Sequence, residues 1–169
     1  MSRIVRPVLL VAVLYGCWLG MMLMHECGHV LHAWASGAKV ERVVLPPLGF
    51  SRTDLAENPR PLFVSWGGAV WGPLLPLVLL AIARAIRLRY WRMCMFFAGF
   101  CLIANGGYLA FGSLSMAGDA GDLLRHGAPQ WTLFLYGAVT MPLGLLLWHW
   151  LGPRLGLGDA AKRSRPHDG

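Results

Sequence analysis

Charge is scarce in this chain. Only 14% of its 169 residues are Asp, Glu, Lys or Arg, and just eight are acidic, against about 25% charged residues in an ordinary soluble domain. That shortage excludes a solvated surface around most of the sequence. Paired cysteines are missing too. Cys17, Cys27, Cys94 and Cys101 form no CxxC spacing and at least three lie in apolar stretches, so they read as small packing residues and not as a disulfide framework. Long polar stretches are absent as well, with about 25 residues between the first two apolar blocks and fewer between the others. No PDZ-like or nucleotide-sensing domain fits in the remainder.

What is present is grease in long runs. The hydrophobic share is 56% and the mean hydropathy +0.53. Four blocks, Val8 to Ala35, Leu62 to Ala83, Met93 to Leu114 and Trp131 to Leu151, each reach the roughly 20 apolar residues that cross a hydrocarbon core. The expected fold is an all-α polytopic membrane protein with about four transmembrane helices, embedded as one domain over residues 1–152 and followed by a disordered basic tail over 153–169. A cleaved signal peptide is the alternative for the first block, since Arg3 and Arg6 precede an apolar core. The stretch Val8 to Met24 is longer than the usual 7 to 15 residues of a signal core, which favours a retained span.

The net charge of +7 does not point to nucleic acid, because the basic residues sit at the ends of apolar blocks and not on one surface. They fit membrane topology better. Arg3, Arg6, Arg84, Arg87, Arg89, Arg92, Arg154, Lys162, Arg163 and Arg165 fall on one side of the bilayer; Lys39, Arg42, Arg52, Arg60 and Arg125 fall on the other. Ten against five predicts cytoplasmic termini.

Within the first block, "MLMHECGHVLHAW" places a glutamate and three histidines near the middle of a span. Buried there without partners they would cost several kcal/mol, and ionisable residues inside a membrane mark function by default. Residues four apart share a helix face, so His25 and His29 can aim two imidazole nitrogens at one ion, about 2.0–2.1 Å from each. Glu26 lies about 100° round from His25, beside the ion, where a base acting on water belongs. The pattern is HExxH. His32 shares nearly the same face, yet at 1.5 Å per residue it lies about 10.5 Å along the axis from His25. It is expected to pack between helices.

Two histidines leave a tetrahedral zinc short of a ligand. Asp159 and Asp168 lie on the wrong side of the membrane, whereas Glu41, Asp54 and Glu57 sit in a polar loop on the right side. Spans one and three run in the same direction, so whatever follows span three can approach His29. That segment is "GDAGDLLRHG", which leaves Asp119 and Asp122 as candidates, with His126 beyond them.

Here the chain resembles a family. "HECGH" in a first span, then "SGAKVERVVL", a Gly-rich second span and "GDAGDLL" resemble the site-2 protease family of intramembrane zinc metalloproteases, particularly its short bacterial members. The similarity covers roughly Leu14 to Trp148. It implies Zn²⁺ held by His25, His29 and Asp119, with Asp122 as the alternative because Ala120 stands where that family's Asp-Gly motif has Gly. It also implies Glu26 as the catalytic base and a membrane-associated β-hairpin after the first span. The Asn-x-x-Pro approach common in larger members is not recognisable in "NGGYLAFGSLSMAGD", so Asn105 is carried only as a candidate substrate-binding residue.

Other features bear on such a site. Lys39 to Leu45 is β-branched and partly alternating, and Pro46-Pro47 ends the strand; its edge, with Val40 and Val43, could take an extended substrate segment by β-addition. Gly16 with Gly20 and Gly68 with Gly72 have the spacing that lets helices approach closely. Pro73, Pro76 and Pro142 are expected to kink or break their helices. The expected function is therefore hydrolysis of a peptide bond in or near a transmembrane segment of a membrane protein, in a bacterial cytoplasmic membrane. Substrate selection would fall to the membrane core or to another subunit. The alternative is a zinc-bound adaptor that binds a partner helix without cutting it, and an intact Glu26 argues against it. Ion transport is weaker, since the other spans offer few polar residues beyond Asn105, Thr140 and His149.

Overall fold

The computed structural model describes residues 5–152, so the tail expected over 153–169 lies outside the described residues. The elements are α1 (Val5–Ser36), β1 (Lys39–Val44), β2 (Arg52–Glu57), α2 (Pro61–Ala85), α3 (Trp91–Ser115), α4 (Gly118–Arg125) and α5 (Gln130–Leu151). Helices α1, α2, α3 and α5 are each long and apolar enough to cross a membrane, as an integral multi-pass protein requires. The two strands form an antiparallel hairpin directly after α1.

Helix α1 has 32 residues, about 48 Å at 1.5 Å per residue, against a hydrocarbon thickness of about 30 Å. The HExxH segment begins about two-thirds of the way along this helix, toward the hairpin end. A Schellman motif closes the helix: Ala38 N–H donates to Ala33 O (2.9 Å) and Gly37 N–H to Trp34 O (3.3 Å), with Gly37 at φ +75°. The chain then turns into the hairpin, whose Val40 and Leu55 pack on Ala33, Ala38 and Val64. That apolar contact seats the strands on the α1–α2 pair.

Helices α3 and α5 make the most extensive helix pair, with α1 and α2 next, whereas α1 touches α3 only sparingly. Glycines set both close crossings. A Cβ on Gly137 would meet the Gly106 carbonyl at 2.9 Å and one on Gly144 the Gly99 carbonyl at 2.6 Å. Between α1 and α2 the crossing falls at Gly28 and Gly67, where a Cβ on either would strike the other's carbonyl. This corrects the expected contact at Gly16, which has nothing within 4 Å, while Gly20 meets only the Phe97 ring. The crossing lies inside the HExxH segment, and the close approach lets His29 reach the Val64 carbonyl of α2. Both α2 and α5 run through their prolines without a break; Pro73 and Pro76 are buried, and packing against neighbours tolerates the lost donors.

Candidate metal centre

Two elements, α1 and α4, deliver the three donors. His25 and His29 are one turn apart on α1 and both buried. Asp119 arrives from the short α4. Met116 caps α3 in the left-handed conformation (φ 55°), Gly118 follows at φ +50°, and this reversal swings α4 back under the end of α3. Gly118 has a second reason to lack a side chain: a Cβ there would collide with the Tyr108 hydroxyl, which accepts the Asp119 N–H at 3.2 Å.

The donor atoms converge. His25 Nε2 lies 2.5 Å from Asp119 Oδ2, His29 Nε2 lies 3.1 Å from the same oxygen, and the two Nε2 atoms are 3.2 Å apart. They form a group able to hold a metal ion. Those edges place the atoms on a circle of about 1.7 Å radius, so a point about 2.0–2.1 Å from all three exists roughly 1.1 Å out of their plane. Space is kept for it on the α2 side by Gly68, where an added Cβ would come within 2.5 Å of both Nε2 atoms.

Hydrogen bonds on the far ring edges fix the tautomers. His29 Nδ1–H donates to Val64 O at 2.9 Å. His25 Nδ1–H donates to Asn105 Oδ1 at 2.7 Å, and the Asn105 amide is oriented by its own Nδ2–H donating to Cys101 O at 2.8 Å. With each Nδ1 carrying a proton, each neutral ring presents a bare Nε2 lone pair to the centre, the arrangement in which metal-ligating histidines are normally held. Two lone pairs and an anion facing one point suit a divalent cation.

No family model matches the chain. Neither does any curated protein or any solved structure, so the resemblance to the site-2 proteases stands on the motifs alone.

The other candidates are engaged elsewhere. Asp122 is half exposed and pairs with Arg125 at 2.6 Å; His126 Nδ1–H donates to the Asp122 carbonyl. Asp54 is held by Arg42 (2.6 Å) and Arg52 (3.1 Å), and the Arg42 hydrogen bond above all lowers its carboxyl pKa. Glu41 and Glu57 are exposed. His32 stacks on Phe63 (4.1 Å, 7°) and donates to its carbonyl at 2.6 Å, joining α1 to α2. Of the residues expected to meet substrate, Val40 is committed to packing and Asn105 to His25; only Val43, 40% exposed and opposite Thr53 in the hairpin, presents its side chain.

Glu26 is 2% exposed, and Thr53 Oγ1–H donates to its Oε2 at 2.6 Å. Thr53 escaped the sequence reading because nothing in "SRTDLAE" announces a partner for a residue 27 positions earlier. The contact ties β2 to the HExxH helix and engages one carboxylate oxygen.

Proposed function

We propose that this chain is an intramembrane zinc metalloprotease of the site-2 protease type, cleaving a peptide bond in or near a transmembrane segment of a membrane protein. The observation that carries the proposal is the convergence of His25, His29 and Asp119, with both rings held in the ligating tautomer and the buried Glu26 beside them. A site with three protein ligands and one open position is the catalytic form of zinc site. Bound zinc would supply Lewis acidity to the scissile carbonyl and lower the pKa of water from 15.7 toward about 7. Within the chain, Glu26 accepts the water proton on the oxygen that Thr53 leaves free and passes it to the leaving amine. Asn105 and the Val64 carbonyl keep the two rings aimed, and Asp119 supplies the negative charge that offsets the cation.

Orientation belongs to the same proposal. The turn between α2 and α3, with Arg84, Arg87, Arg89 and Arg92, would face the cytoplasm, and the hairpin and α4 the opposite surface. The test is to express wild type and Glu26→Gln with a membrane substrate, purify both and measure zinc. Expected is equal zinc with cleavage only in wild type, because the amide cannot take a proton. Equal cleavage by both would overturn the enzyme. Equal zinc with cleavage by neither would favour the adaptor.

A further inference from the structure

A cavity of about 160 Å³ opens between α1 and α3 directly beside the donor cluster. His25, Asn105, Tyr108, Ser51 and Asp119 give it a polar side, and its apolar walls are Trp18, Met21 and Met22 from α1 and Ala104 from α3. Phe50, in the hairpin loop, also lines it and is 70% exposed, edge-on to Trp18 (5.8 Å) and stacked on Tyr108 (6.0 Å). A larger groove of about 920 Å³ shares Trp18, Phe50, Tyr108 and Asp119 with the cavity and continues along α3 past Gly107 and Gly112 to α4. The groove is broad where it runs along α3 to α4 and leads into the smaller, mostly apolar cavity beside His25 and Asp119.

We infer that the cavity is a specificity subsite that takes one large apolar side chain, of phenylalanine, leucine or methionine size, from the substrate residue flanking the cleaved bond. This rests on the protease proposal above and goes beyond it by naming what the site prefers. Size supports the assignment: an apolar cavity of about 150 Å³ holds a benzene molecule, so about 160 Å³ receives a phenyl ring with little room over. Position supports it too. A backbone carbonyl brought to the donor cluster has its own side chain, or that of the next residue, within reach of a pocket whose wall includes His25 itself. Chemistry supplies the third argument: a charged side chain would lose water against Trp18, Met21, Met22 and Ala104, and the polar groups that share the lining, His25, Asn105 and Asp119, are already engaged with one another.

Amino-acid hydroxamates, which chelate zinc and present one side chain, test the pocket without turnover. The full chain in detergent micelles, loaded with Zn²⁺, is titrated calorimetrically with phenylalanine hydroxamate and glycine hydroxamate. Burial of the benzyl group predicts binding about 10- to 150-fold tighter for the phenylalanine compound. Ala104→Leu, and independently Met22→Phe, should erase that difference while leaving glycine hydroxamate affinity and zinc content unchanged. Equal affinity of the two compounds for the wild type, or a preference that survives both filled variants, would overturn the subsite. Failure of the protease proposal looks different: the preference for phenylalanine hydroxamate appears, yet no membrane segment is cut.

Discussion

Removing the Thr53 hydroxyl isolates the link between hairpin and base. Thr53→Val keeps the branched shape that suits a strand and deletes only the donor that reaches Glu26 Oε2 at 2.6 Å. A hydrogen bond to a charged group is worth about 1.5–3 kcal/mol, and Glu26 at 2% exposure has little solvent to replace it. The same energy in the transition state corresponds to a loss of about 10- to 150-fold in kcat. The expected signature is that fall in kcat with KM within about twofold and zinc content unchanged, because Thr53 touches none of the three donors. Thr53→Ser restores the hydroxyl and should recover most of the rate. The assay is cleavage of a purified membrane segment by reconstituted protein, with zinc measured on each sample. A Thr53→Val protein cutting at the wild-type rate would refute the argument, as would Val and Ser variants impaired alike, which would reduce Thr53 to a strand residue.

Three further outcomes follow from the site. Asp119→Ala should lose most of its zinc, whereas Asp122→Ala, which gives up only a surface pair with Arg125 worth about 0–1 kcal/mol, should keep it; the reverse pattern in metal analysis would exchange the two aspartates. Asn105→Leu removes the acceptor of His25 Nδ1–H, so zinc affinity measured by chelator competition should fall about 10- to 100-fold, and unchanged affinity would mean that the ring needs no such anchor. Gly68→Ala puts a methyl within 2.5 Å of both histidine Nε2 atoms and should abolish metal binding while the helical circular dichroism signal persists; a full complement of zinc in that variant would move the ion away from α2.

The parts of this molecule that a linear reading reaches are those with a period or a length. Apolar runs of span length located the four long helices to within a few residues at each end, and the i, i+4 spacing paired His25 with His29. Helix parity brought the segment that carries Asp119 and Asp122 to the same end as His29, and the choice of Asp119 came from the resemblance. What escaped depends on the rotation and register of one element against another. Asn105 meets His25 only because α3 turns that face toward α1, and Thr53 meets Glu26 only because the hairpin register and its seating on Val64 point it inward. The crossing at Gly28 and Gly67 was hidden by the motif around it, since GxxxG spacing drew attention to Gly16, which faces open space. Unbroken helices at Pro73 and Pro76 reflect packing that no local rule contains.

The donors straddle a seam. His25 and His29 belong to the α1–α2 pair, Asp119 hangs from the end of α3, which packs on α5, and α1 meets α3 only lightly. Because α2 also packs on α3, the two pairs stay joined there, and an ion gripped from both sides ties its own binding to the separation of α1 from α3. Such linkage is reciprocal: a guest that wedges α1 from α3 weakens the ion's hold by the same factor by which the ion resists the wedge. Each 1.4 kcal/mol of strain passed to the ligands costs about tenfold in affinity for the ion. The ion would thus act as a clasp as well as a reagent, and a membrane segment could open the cleft no wider than the clasp survives.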